Sequence, residues 1–130
     1  MMPQEKNLCL SAHDELYMID LNQVLYFQAD DHYTEVFYQT GSHFLIPFGL
    51  VKIEAQLELM RDARQNLCRL GRKYIVNTRR IFRINTAKEL LYLVGNDSNP
   101  IALHVTKPVL RSLMNHFRQQ QQGTAKEVFL

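Results

Sequence analysis

Short runs of strand-forming residues recur along this chain, each cut off by turn chemistry before it grows long. That rhythm points to a meander of antiparallel pairs. Residues 8–12 and 15–19 flank His13-Asp14, a hairpin turn, and a second turn falls at Asp20-Leu21-Asn22-Gln23. Residues 24–29 form a mostly apolar run broken by Asp30-Asp31, and residues 32–40 resume it with β-branched and aromatic side chains. Gly41-Ser42 turns the chain into a further strand over 43–48. Later, residues 67–70 read as extended before Gly71, and Tyr74-Ile75-Val76 is a short strand ending at Asn77. Residues 80–84 alternate basic and apolar, as a strand with one wet face should. Strands over 90–94 and 101–105 pair across Gly95 to Pro100, a stretch dense in turn residues.

Helical spacing is rarer. Leu50, Ile53, Leu57 and Met60 recur every three or four residues, which predicts an amphipathic helix over 49–61. A last helix begins near Lys107-Pro108 and carries Val109, Leu110, Leu113, Met114 and Phe117 on one face, read as core. From Gln119 onward the chain reads as a frayed tail. The fold class is therefore mostly β, an elongated sandwich of small antiparallel sheets with a short central helix and a C-terminal helix. At 130 residues and 46% hydrophobic the chain makes one domain, 1–130, with a real core.

No apolar run approaches the roughly 18 residues that span a membrane, and the N-terminus has no apolar core for secretion. Membrane insertion is not expected. Cys9 and Cys68 lie far apart without metal-ligand spacing, so reduced thiols and a cytoplasmic location are the default. Cys68, flanked by Leu67 and Leu70, reads as a buried structural thiol rather than a nucleophile.

The charge is unevenly spread. Residues 1–66 carry 4 Lys/Arg and 10 Asp/Glu, a net of −6, and residues 67–130 carry 11 and 3, a net of +8. From Ala63 to Lys88 there are eight basic residues and no acid. Apolar residues interleave the charges, so the run belongs to a folded surface, and its natural partner is a polyanion. Lys and Arg bind phosphates, and Arg, Lys, Asn, Gln and His read base edges. Arg69, Arg72, Lys73, Arg79 and Arg80 sit on or beside short loops and are the candidate contacts; a solvated basic face without a partner is the plainer alternative. His32 and Tyr33 follow the Asp pair at a strand junction and either meet DNA or simply complete a turn. Asn77 is a further DNA candidate, although Asn at such a turn commonly bonds the backbone. His13, His43, His104 and His116 lie in separate elements, with no metal-ligand spacing and no phosphate-binding glycine loop or nucleophile motif. No cofactor, metal or enzymatic activity is expected.

Three motifs in order carry a resemblance: VLYFQADDHYTEVF, then CRLGRKYIVNTRRIFRI, then IALHVTKPVLRSL. Together, over roughly residues 8–118, the chain resembles the LytTR DNA-binding domain of bacterial transcriptional regulators, part of the response-regulator world. The matching stretches are Leu25 to Tyr33, Cys68 to Asn77 and Ile101 to Lys107. The resemblance implies that loops, not a recognition helix, enter successive major grooves of double-stranded DNA. By position the first loop is Asp31, His32 and Tyr33. The second is Arg69, Gly71, Arg72 and Lys73, continuing to Arg79 and Arg80, and the third is His104, Thr106 and Lys107. Gly71-Arg72-Lys73 replaces the family's usual His, basic residue and Ser, and His104 with Thr106-Lys107 replaces its Ser-Arg.

The expectation is a sequence-specific transcriptional regulator, in which Arg69, Arg72, Lys73, Arg79, Arg80 and Lys107 meet phosphates and guanines. Paired binding of two copies on repeated sites, or a homodimer, fits the family, as does control by a separate sensor or regulator protein. Family members usually carry a receiver or sensor domain ahead of this module, and here about seven residues precede the first strand. Either the chain is a stand-alone regulator, which Met1 favours, or it is a fragment. The competing reading is a protein-interaction module that docks such a partner and has lost DNA readout.

Overall fold

The computed structural model describes residues 6–60, 66–96 and 99–129, with side chains described as far as Gln120. Strands β1 (Asn7–Ala12) and β2 (Glu15–Asp20) form a two-stranded hairpin, with Ala12 opposite Glu15 across the turn His13-Asp14. Strands β3 (Val24–Asp30), β4 (Tyr33–Tyr38), β5 (His43–Ile46), β6 (Leu67–Leu70) and β7 (Tyr74–Asn77) make one antiparallel sheet in the order β5-β4-β3-β7-β6. Strands β8 (Ile81–Asn85), β9 (Leu90–Val94) and β10 (Pro100–His104) make a third, in the order β10-β9-β8. Helix α1 (Leu50–Glu58) links β5 towards β6, and α2 (Lys107–Phe129) follows β10.

The five-stranded sheet is the middle layer. One of its faces, with Val24, Phe27, Val36 and Ile75, packs against Leu8, Leu10 and Ile19 of the hairpin and Ile53 and Leu57 of α1. The other, with Leu25, Tyr26, Leu70, Tyr74 and Val76, packs against Leu91, Leu93 and Leu103 and against Leu110 and Leu113 of α2. A strand covered on both faces must be apolar without alternation, and this is why β3 reads as a continuous run. Its register slips between Val24 and Tyr26, so consecutive Leu25 and Tyr26 both join the second core. That is the signature of a β-bulge. Phe27 is fully buried, worth roughly 1.5–3 kcal/mol relative to exposure.

The expected elements are present, with differences at their ends. Helix α1 buries Leu50, Ile53 and Leu57 and ends at Glu58; Arg61, the end of the expected helix, and Arg64, the first cation of the basic run, lie outside the described residues, as do Asp97 and Ser98. Strand β5 stops at Ile46, before Pro47. The simple alternation expected over 80–84 is broken by a second register slip between Ile81 and Arg83, which leaves Phe82 half exposed. Helix α2 runs on through the glutamines where a frayed tail was expected. Gln119 and Gln120 are exposed, and Gln is a good helix former.

Candidate nucleic-acid interface

The turn between β3 and β4 has only two residues between the paired Asp30 and Tyr33. Asp31 takes φ of 57°, a left-handed conformation that Asp tolerates better than most residues. His32 and Tyr33 are thereby left exposed. Between β6 and β7, Leu70 pairs with Tyr74 and three residues turn the chain. Gly71 opens that turn at φ of 64°, which glycine adopts without steric cost, and Arg72 and Lys73 stand out into solvent. The Lys73 Nζ lies 5.8 Å from the centre of the Tyr74 ring.

These two turns share one end of the sheet. Gln28 pairs with Tyr74, and the Ala29 N–H donates to the Lys73 carbonyl at 2.8 Å, so the β6–β7 turn lies beside the start of the β3–β4 turn. The junction between β10 and α2 closes the group. A groove of about 400 Å³ is lined by Gly71, Arg72 and Lys73 on one side and by His104 and Thr106 on the other. His104 and Thr106 are exposed and Lys107 is partly so.

Glu89, the first acid after the basic run, organises that junction. It sits at φ of 57° at the end of the β8–β9 turn. One carboxylate oxygen accepts from the Lys107 N–H at 2.8 Å, the other lies 3.4 Å from His104 Nε2, and its carbonyl accepts from the Val105 N–H. A carboxylate at the first turn of α2 also complements the helix dipole. Glu89 follows the basic run directly in sequence, and that position was the only available signal.

Other predicted residues lie elsewhere. Strand β7 carries the chain away from Lys73, and Arg79 and Arg80 emerge beyond Asn77, at the end of the sheet where β3 starts. Asn77 is buried: its Nδ2 donates to the Val24 carbonyl at 3.0 Å and its Oδ1 accepts from the Arg79 N–H at 3.1 Å. Both of its polar groups are occupied inside the fold, as the backbone-bonding alternative for this turn has it. Arg80 donates to Gln39 Oε1 and to Asn96 Oδ1, holding two loops together. Arg69 turns inward, donating to Glu54 Oε1 at 2.8 Å and through Nε to the Gly71 carbonyl at 2.9 Å. Its charge is met within the fold, and it steadies the β6–β7 turn rather than facing outward.

Beneath the turns, Tyr26 stacks on Phe37 with ring centres 4.3 Å apart and meets Tyr74 edge-on. Burial pushes the Tyr26 phenol up to about 12, and burial raises Tyr74 as well, so both stay neutral in this floor. Cys68 is half-buried and Cys9 exposed, and neither is in a disulfide. Among the described residues no group of three His, Cys, Asp or Glu converges as a metal site would require, and no helix is long and apolar enough to cross a membrane.

Comparison with known proteins gives a family. The model of the LytTr DNA-binding domain matches residues 14–118. No curated protein matches. Among solved structures, the chain is similar to the LytTr DNA-binding domain of a Bacillus cereus protein described as a methyl-accepting/DNA response regulator. The two share 20% identity, with 87% of this chain and 94% of the other covered and a TM-score of 0.55. At that identity the likeness establishes the fold.

Proposed function

The chain belongs to the LytTr DNA-binding domain family, and from that premise we propose that it is a sequence-specific transcriptional regulator reading double-stranded DNA through its loops. The family is one of DNA-binding domains rather than enzymes. The observation that carries the finer reading is the convergence of three turns at one end of the central sheet, with exposed Arg72 and Lys73 at its middle. Neither has a carboxylate partner among the described residues. Such cations are free to neutralise phosphates, whereas Arg69 is not.

In this reading Arg72 forks onto a guanine edge, and Lys73 and Lys107 meet flanking phosphates. His32, Tyr33, His104 and Thr106 flank them as shorter-range contacts to bases or backbone. Arg79, Arg80 and Asn77 are left out, because β7 separates them from the turns. The regulator works in the cytoplasm without a cofactor, binds as two copies on repeated sites, and takes its signal from a separate protein. Selection from randomised duplexes at low salt tests this, repeated with Arg72→Ala/Lys73→Ala. Enrichment of a short motif that the variant no longer enriches is the expected result. Retention without enrichment would favour the interaction-module reading.

A further inference from the structure

The end of the sheet opposite the turns holds a second cleft, about 370 Å³, lined by Lys6, Asn22, Gln39, Asn66, Arg79 and Arg80 among others. Three of these residues are cations, and among the described residues no acid lines the cleft. The rest offer side-chain amides, and the lining is predominantly polar. Arg80 is fixed by two neutral acceptors, Gln39 and Asn96, so its orientation is set while its charge is not cancelled. Gln39 is itself buried and donates through Nε2 to the Asn22 carbonyl at 3.2 Å, which ties the cleft's floor to the β2–β3 turn. Arg79 is exposed at the cleft with its backbone N–H anchored on Asn77, and neither arginine has a carboxylate partner among the described residues.

We propose that this cleft binds a small phosphorylated anion, separately from DNA. Paired, hydrogen-bonded charges are what a buried or half-buried cation normally has, and a fixed but uncancelled guanidinium marks a place for an outside anion. Three separate cations, Lys6, Arg79 and Arg80, line the cleft, not a single guanidinium fork. A planar carboxylate would be satisfied by one guanidinium fork, whereas a tetrahedral phosphoryl group presents oxygens in several directions. The volume falls within the range of small-ligand sites. Strand β7 runs directly from the Arg72-Lys73 turn to Arg79, so an anion bound here sits at the far end of an element that holds the DNA-facing turn.

Pyrophosphate is the probe, titrated calorimetrically into the folded chain at fixed ionic strength in chloride. The expected result is one saturable site that Arg79→Ala weakens by about tenfold, the loss of one charge-assisted contact. Lys6→Ala should weaken it too, which guards against a folding defect in either variant alone. Arg72→Ala/Lys73→Ala should leave it within about twofold, since those side chains lie at the other end. Absence of saturable binding, or equal losses from both ends, would overturn the proposal in favour of diffuse attraction to a basic surface. A duplex titration separates the cleft from the DNA reading. If Arg79→Ala lowers duplex affinity as much as the Arg72/Lys73 variant does, the cleft belongs to the DNA footprint and the separate site is refuted. If pyrophosphate binds while no duplex motif is enriched, the cleft stands and the DNA reading falls.

Discussion

Arg72 and Arg80 belong to one basic run, yet they stand at opposite ends of the same short strand. At the first end, the β6–β7 turn and the start of α2 flank a groove beside the β3–β4 turn, and Arg72 and Lys73 stand exposed there without a carboxylate partner among the described residues. At the second, Arg80 is bound to Gln39 and Asn96, and Asn77 stitches β7 to β3. Linear charge density therefore does not define a face. A four-residue strand spans about 13 Å, enough to send neighbours in sequence to different surfaces. What each end can bind depends on how the fold holds its cations: exposed on turns at one, fixed by neutral acceptors in a cleft at the other.

The largest separation between the ends should come from Arg72→Ala/Lys73→Ala. The loss of a bidentate guanine contact costs roughly 1–3 kcal/mol of duplex affinity, and each lost phosphate contact flattens the salt dependence by about 0.9 in logarithmic slope. Fluorescence anisotropy across a salt series measures both, and an unchanged affinity would remove Arg72 from the reading face. Next comes Asn77→Ala, which leaves the Val24 carbonyl and the Arg79 N–H without their partner. Chemical denaturation should show a stability loss of about 1–3 kcal/mol, with duplex affinity of the folded variant unchanged. A selective loss of DNA binding at full stability would put Asn77 back at the interface. Glu89→Gln is subtler: it weakens the hold on His104 and the Lys107 N–H, costing about 1 kcal/mol by thermal melting. Removing an acid beside the groove should also raise binding to random duplex while lowering preference for the selected motif. Smallest is Arg79→Ala, expected to shift duplex affinity by less than about twofold, as a surface change away from the interface does.

Most of the architecture was legible because two local signals agreed. Turn residues such as His13-Asp14, Asp31 and Gly71 sit where the chain reverses, one residue later than the Asp30-Asp31 break read from the sequence in the second case, and the strands between them are rich in β-branched and aromatic residues. The bulges were not legible. Leu25 and Tyr26 look like any two residues of an apolar run, and nothing local says that both face the same core. Phe82 looked like an inward position of a regular alternation and is half exposed for the same reason. Of the candidate site, the turns were legible through their motifs, and their convergence only through register. The pairing of Arg69 with Glu54 joins residues far apart in sequence across a helix and a strand, so a window of charge could not reveal it. Glu89 escaped because it is an acid at the edge of a basic run, although it holds the third loop in place.

The most direct test of the account is the footprint of a selected duplex on the protein itself. Titrating that duplex into isotope-labelled chain and following backbone amide resonances locates the contact without any substitution. The largest changes are expected at residues 31–33, 71–73 and 104–107, with residues 22, 39, 66 and 79–80 little affected. Changes centred on the Arg79-Arg80 end, with the three turns unmoved, would contradict it.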